Sequence, residues 1–359
     1  MSSFISIAEN FYGALLGSGG LLSFFVCLVI VQTKGRHGKR TLDFTDGVQK
    51  FHANPTPRIG GVGIFSGLLV SLVFLRQETQ ELLNVLLIAA LPAFAAGLLE
   101  DFTKQVSPRE RLLAAMVSGV IACYLSGVSL KSIDLPLVDT WLAVPLLSLG
   151  FTAFAVAGVA NAINIIDGFN GLASGVVIII LVALGGIAQG AGDVALAHAA
   201  WAIAGVTVGF FVLNFPFGKI FLGDGGAYCL GFLLAMVAVL LPERNPDVSP
   251  WASLVACAYP ILEVLYSIFR RRKAGMAVGQ PDNEHLHTLI KTRFLRKRFG
   301  YLPLVWRNAM VSPFAWLFAL IPVLVAAHWA KEPPSLMLAF VVLAIVYVVT
   351  YWSLHRIKE

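Results

Sequence analysis

The 359 residues are 58% hydrophobic and only 13% charged, carry a net charge of +6 at pH 7 and have a mean hydropathy of +0.81. That balance excludes a water-soluble enzyme built round a single core. It describes an all-α polytopic membrane protein forming one domain over residues 1–359.

The amino terminus lacks a basic region followed by a small-residue cleavage site, so the first apolar stretch is expected to be retained as a helix. Runs long enough to cross about 30 Å of hydrocarbon follow one another near 11–32, 59–75, 82–99, 112–129, 141–163, 171–189, 196–215, 226–242, 250–269, 308–328 and 335–354. These predict about 11 transmembrane helices. Cys27, Cys123, Cys229 and Cys257 all fall inside such runs without metal-ligand spacing and read as packing residues.

With the amino terminus outside, 22 of the 26 Lys and Arg residues fall on the cytoplasmic side, leaving only Arg76, Lys131, Arg244 and Lys331 opposite. The positive-inside rule favours that orientation. It also sends every unusual polar cluster (34–58, 100–111, 161–172, 214–226 and 270–307) to the cytoplasmic face, while the outer loops are short and plain. A one-sided cluster suits a cytosolic substrate meeting a membrane component. A transporter, the contrasting reading, is expected to carry polar residues at mid-bilayer depth instead.

Asn161-Ala-Ile-Asn164-Ile-Ile-Asp167-Gly-Phe-Asn170-Gly-Leu172 crowds amides, a carboxylate and two glycines between two apolar runs. An unsatisfied polar group in hydrocarbon costs several kcal/mol, so this run must meet water, a metal or a ligand where a helix ends. Phe221-Leu-Gly-Asp224-Gly-Gly-Ala227 sets one carboxylate among glycines at a helix start, where backbone can approach a ligand and a hard oxygen can hold Mg²⁺ beside phosphates. Asn164 or Asp167 could add oxygen ligands. Glu100-Asp101, followed by Arg109 and Arg111, suits metal-bound pyrophosphate or a general base. His285 and His287, in the largest basic loop, could donate to phosphate. Each has a plainer counterpart: Glu100-Asp101 as a solvated helix end, Asp224 as a helix cap, and the two histidines as surface residues.

Taken in order, Gly-Leu-Leu-Glu100-Asp101, the Asn161 motif, Asn214-Phe-Pro-Phe-Gly-Lys-Ile-Phe-Leu-Gly-Asp224 and His285-Leu-His287 closely resemble the motifs of the polyprenyl-phosphate N-acetylhexosamine-1-phosphate transferases, over about residues 50–290. Asn54-Pro-Thr-Pro-Arg58-Ile-Gly60-Gly61 resembles that family's Pro-Thr-x-Gly-Gly loop.

The resemblance implies transfer of a sugar 1-phosphate from a UDP-N-acetylhexosamine to undecaprenyl phosphate, with release of UMP. It implies a Mg²⁺ cofactor (Mn²⁺ possible), a bacterial inner membrane, and a place at the start of O-antigen or cell-envelope polysaccharide synthesis. Membrane lipids surround the protein, a homodimer is possible, and no nucleic acid is involved. By the same resemblance Asp224 and Asn164 are the metal ligands. Asp101, Glu100 and Asp167 are the catalytic carboxylates, with Asp101 orienting or deprotonating the lipid phosphate. Asn161, Asn170, Asn214, Arg111, His285 and His287 bind substrate. Glu100 stands where the family usually has Asp, Asn170 replaces a second acid, and one residue is inserted before Arg111. His285-Leu-His287, in place of a three-histidine signature, favours UDP-GlcNAc or a modified relative over the muramoyl-pentapeptide donor, which remains the alternative within the family.

Overall fold

The computed structural model describes residues 17–43, 55–275 and 284–357. The start of the first apolar run, Asn54 and residues 276–283 of the basic loop lie outside them. Among the described residues the chain is helical, apart from a two-residue antiparallel ribbon, β1 (Leu42–Asp43) with β2 (Thr56–Pro57), that the all-helical expectation did not include.

In chain order the helices are α1 (Ser18–Gln32), α2 (Lys34–Thr41), α3 (Gly60–Ser71), α4 (Gln77–Thr103), α5 (Pro108–Ser126), α6 (Pro136–Leu142), α7 (Pro145–Ile166), α8 (Leu172–Ala191), α9 (Val194–Asn214), α10 (Gly223–Arg244), α11 (Pro250–Ala256) and α12 (Ala258–Lys273). The chain then runs through α13 (Leu286–Leu289), a π-helical turn over Ile290–Leu295 and α14 (Arg296–Arg298) to α15 (Leu304–His328) and α16 (Pro333–His355). Among the described residues each of the eleven apolar runs overlaps helix, with the run over 250–269 divided between two. Among the described residues seven helices are long and apolar enough to cross a membrane, eight if one bent pair counts as a single span.

That pair, α11 and α12, departs from the single helix expected over 250–269, because the two axes differ by 74°. The cause is local. Pro260 has no N–H for the carbonyl of Ala256, and its ring clashes with that carbonyl, so α11 stops at Ala256 and α12 restarts after Cys257. α1 and α3, of 15 and 12 residues, are short for a full crossing. α5 opens on Pro108 with a capping box between Ser107 and Glu110, which draws Arg109, Glu110 and Arg111 into its first turn.

α10 is the axis of the bundle. It is almost wholly buried and packs chiefly against α4 and α7, whereas α16 lies at the periphery. The outer surface exposes large apolar side chains such as Phe25, Phe74, Phe154, Leu324 and Leu338, as suits a surface covered by lipid. The protein is a multi-pass membrane protein.

Helix ends sort the polar groups. At one end of the bundle meet the last turn of α4, the first turns of α5 and α10, and the exit of α7. At the other end, Asp193 before α9 pairs with Arg244, which closes α10, at 2.6 Å.

Candidate active site

The first end is built on contact between α4 and α10. Asp101, with no exposed surface, accepts hydrogen bonds from the backbone N–H groups of Asp224 and Gly225, each at 2.9 Å. It thereby caps α10 from a neighbouring helix, where the chain's own N-cap position, Leu222, offers no side-chain bond. Close approach requires glycine. A Cβ on Gly97 would lie 2.5 Å from the Asp224 carbonyl, and one on Gly223, whose φ is +75°, would lie 2.1 Å from the Arg58 carbonyl oxygen. The glycines beside Asp224, expected to admit a ligand, thus admit α4 and the Arg58 loop. That loop is tied down by the Phe221 N–H to the Pro57 carbonyl at 2.7 Å, and by the Gly60 N–H to the Phe221 carbonyl at 2.9 Å.

Asp224 is not a helix cap. Its Oδ2 faces Arg58 Nη2 at 3.0 Å and Arg111 Nη1 at 2.5 Å, and its Oδ1 accepts from Asn164 Nδ2 at 2.7 Å. Arg58 also donates from Nε to Asp101 at 3.0 Å, so one guanidinium bridges both carboxylates. Arg111 stacks over the Tyr228 ring at 5.7 Å, and the Tyr228 hydroxyl donates to Asn161 at 3.1 Å. Asp167 ends α7 beside this group. Burial, and then the Asp224 charge, push its carboxyl up to about 7, the response of an acid held near other acids in a poorly hydrated place. Five side chains that sequence spacing scatters over 166 residues therefore form one charged cluster of three carboxylates and two guanidiniums.

Other expected site residues serve the frame around it. Asp101, expected to orient or deprotonate the acceptor phosphate, is enclosed by Arg58 and two backbone donors, and in this arrangement is an anchor. Glu100 turns away and accepts from the Val106 N–H at 2.8 Å, shaping the α4–α5 loop. Both ends of the Asn214 amide are engaged, accepting from the Gly171 N–H at 2.6 Å and donating to the Ile220 carbonyl at 2.7 Å. Asn170 donates to the Pro216 carbonyl at 3.0 Å. These two amides join the Asn161 motif to the turn before α10. Arg109 enters no contact with the cluster that defines the site.

His285 and His287 are not surface residues. Both are buried, their rings stack at 5.3 Å, and His287 lies edge-on to Phe169 at 5.7 Å with its Nε2 beside Gly168. His287 thus meets the Asp167 loop directly, and His285 is joined to it through the stacked pair.

Sequence reasoning missed several residues that complete the site. Lys291 sits on the π turn 5.2 Å above the Phe169 ring, and burial, then Arg307, push its ammonium down to about 7. Ser312 and Trp316 of α15 donate to the carbonyls of Asn170 and Gly171 at 2.6 and 3.0 Å, clamping the motif from beyond residue 290. Glu263, on α12, holds His285. Its signal was available, since a carboxylate inside an apolar helix marks a function by default.

No group of three or more Asp, Glu, His or Cys side chains able to cage a metal occurs among the described residues. Asp224 with Asn164 and the neighbouring Asp167 is still a set of hard oxygen donors. That set fits Mg²⁺, which takes one or two carboxylates and completes its octahedron with phosphates and water. The residues suit an ion shared with a phosphorylated substrate, not one enclosed by protein alone.

The comparisons with known proteins bear on this cluster directly. The profile of glycosyl transferase family 4 matches residues 83–242, the stretch from α4 to the end of α10 that carries Asp101, Arg111, Asn164, Asp167 and Asp224. The chain is 27% identical over 261 residues, 71% of each chain, to the probable undecaprenyl-phosphate N-acetylglucosaminyl 1-phosphate transferase of Bacillus subtilis. It is 25% identical over 304 residues, 82% of each chain, to the undecaprenyl-phosphate alpha-N-acetylglucosaminyl 1-phosphate transferase of Escherichia coli K12. To the decaprenyl-phosphate N-acetylglucosaminephosphotransferase of Mycobacterium tuberculosis it is 29% identical over 273 residues, covering 66% of this chain and 65% of that one. The motifs, the matched span and the relatives agree: over residues 83–242 the chain is similar to glycosyl transferase family 4.

Proposed function

We propose that this protein transfers N-acetylglucosamine 1-phosphate from UDP-N-acetylglucosamine to undecaprenyl phosphate at the cytoplasmic face of a bacterial inner membrane, releasing UMP and starting a lipid-linked envelope polysaccharide. The observation that carries this reading is the meeting of Asp101, Asp167 and Asp224 with Arg58 and Arg111 at one end of an apolar bundle. The names of the relatives support the donor and acceptor. We read the apolar helices as eleven crossings with the amino terminus outside. The 22 to 4 division of Lys and Arg supports that orientation.

In this reading an oxygen of the lipid phosphate attacks the sugar-bearing phosphorus in line, and the UMP oxygen leaves. Asp224, with Asn164 and Asp167, would hold Mg²⁺, which would supply charge neutralisation for the phosphates. The chain's own residues do the rest. Arg58 and Arg111, whose forks rest on Asp224, would bind a phosphate beside that carboxylate, since a guanidinium matches phosphate as well as carboxylate. Asp101 fixes the first turn of α10, so that Asp224 holds its position while its partners change. His287, and His285 once its ring is protonated, supply ring N–H donors beside the Asp167 loop. A phosphate monoester with its second pKa near 6 is largely dianionic at neutral pH, so an enclosed Asp101 need not act as a base.

The test is UMP release by the purified protein from UDP-N-acetylglucosamine and undecaprenyl phosphate, run beside a panel of other UDP-sugars. Release with that donor is expected, and silence across the panel rejects the reading. A preference for UDP-N-acetylmuramoyl-pentapeptide moves the protein to the other branch of the family.

A further inference from the structure

Glu263 lies on α12 just beyond the Pro260 break and is 1% exposed, yet its carboxylate is fully occupied. Oε1 accepts from the His285 ring at Nδ1, 2.9 Å away, and from the Leu286 backbone N–H at 3.1 Å, while Oε2 accepts from the Tyr347 hydroxyl at 2.9 Å. Tyr347 belongs to α16, the peripheral last helix, few of whose residues are buried. A buried carboxylate is costly unless each lone pair is used, and here the three donors come from two separate segments of the chain. No packing need calls for an acid at this point, where an apolar side chain would join α12 to α16 at least as well.

We infer that Glu263 is a positioning residue for His285, and that through Tyr347 it ties the last helix to the active site. The inference rests on the phosphotransfer reading above. An ionised carboxylate can only accept, and the Leu286 N–H can only donate, so Nδ1 of His285 keeps its proton and Nε2 is the one ring atom left to exchange a proton or meet a ligand. The ring plane is fixed at the same time. His287 stacks on it within 7° of parallel and carries the alignment to Phe169 and Gly168 in the Asp167 loop. The titratable and charged groups about the pair are Tyr347 from α16, Tyr259 from α12, His287 from the same segment and, flanking it, the Arg270–Glu284 ion pair at 2.6 Å.

The test uses Glu263→Gln, which keeps the volume and one acceptor oxygen. In membrane nanodiscs without substrate, the ring-¹⁵N signal of His285, assigned by its loss in His285→Ala, is expected to titrate at lower pH in Glu263→Gln, because the imidazolium loses its counter-charge. Turnover falls 10- to 100-fold, the range for outer partners of a ligating or catalytic histidine, with KM for the UDP-sugar little changed. The double variant Glu263→Gln with His285→Ala is no slower than His285→Ala alone, as expected for residues acting as one unit. An unmoved His285 midpoint, or losses that multiply in the double variant, overturns the inference. Should Glu263→Gln fail to fold, Tyr347→Phe strips one donor from the same carboxylate and shifts the midpoint upward; no shift there overturns the inference equally. If the wild-type protein releases no UMP from any UDP-sugar, the functional reading fails, while the titration still decides whether Glu263 positions His285.

Discussion

Replacing Asp224 by Asn preserves the shape of the side chain but removes the charge on which Arg58 and Arg111 converge, at 3.0 and 2.5 Å. A unit pair at such separations is worth about 4 kcal/mol at the effective dielectric near a protein surface. Desolvation of the ions and the partial exposure of all three side chains, 13%, 21% and 11%, reduce the net stability cost to about 1–3 kcal/mol. Arg58 retains Asp101 in the variant, but Arg111 retains no carboxylate, and its Nε already lacks a partner. The effect on turnover is expected to be far larger, a loss of at least about 100- to 1000-fold, because the lost charge faces the reacting phosphates. The assay is UMP release as a function of Mg²⁺ concentration, read beside thermal unfolding in the same detergent. Asp101→Asn is the counterpart: it weakens an ion pair whose carboxylate, unlike that of Asp224, is fully buried, and disturbs the cap on α10, at about 3 kcal/mol, and is expected to fail first in stability and yield. An active Asp224→Asn protein with an unchanged Mg²⁺ requirement, or one as poorly folded as Asp101→Asn, would refute the division of labour drawn between the two carboxylates.

His285→Ala and His287→Ala are each expected to lower turnover about 10- to 1000-fold, with His285→Ala also losing stability because it strips a partner from the buried Glu263 carboxylate; near-normal rates in both would return the pair to a packing role. Gly97→Ala drives a methyl group to 2.5 Å from the Asp224 carbonyl and should separate α4 from α10, abolishing activity. Gly150→Ala, in α7 with open space around it, should be neutral or stabilising by up to about 1 kcal/mol, and equal outcomes would refute the close-contact argument. A cysteine at Thr103 should react with an impermeant reagent only from the cytosol and one at Asp247 only from outside; the reverse pattern overturns the orientation. The carboxyl of Asp167 is raised to about 7 in the folded chain, so the native state holds a proton that the unfolded state has released, and stability falls as pH rises from about 4 to 7. Without substrate, Asp167→Asn, which mimics the protonated form, should therefore match the wild type near pH 4 and exceed it at pH 8 by at least about 1 kcal/mol, as measured by thermal unfolding; no gain at pH 8 would remove the case for a strained carboxylate.

The membrane class and the polar motifs were legible in the sequence because lipid punishes unsatisfied polarity, which leaves Asp101, Asn164, Asp167 and Asp224 conspicuous among apolar runs. Their partnership was partly legible, through order and resemblance. Which oxygen meets which arginine was not, because Arg58 and Asp224 are 166 positions apart and nothing local specifies a contact over that distance. Pattern reading also assigned the glycines beside Asp224 to a ligand. Apolar periodicity records that a helix is buried but not how closely its neighbour's backbone approaches, and here the neighbour is α4. The α11–α12 break was a missed local signal, since Pro260 stands 4 residues after Ala256, where a continuous helix cannot carry it without distortion. Glu263 was overlooked because it stands alone, without a neighbouring polar residue to form a motif.

Asp101 caps a helix that begins more than a hundred residues later in the chain, so the cluster has no precursor in any one hairpin. During insertion each helix enters lipid carrying its own share of unpaired charge at the membrane edge, and those charges find their partners only when α4, α5, α7, α10 and the Arg58 loop stand together. A helix displaced along its neighbour by one turn, about 5.4 Å, would return those charges to isolation. Misassembled bundles should therefore be poorer substrates for the folded state's hydrogen bonds and richer ones for membrane quality control. The same residues that handle phosphate would then act, earlier in the protein's life, as its register marks.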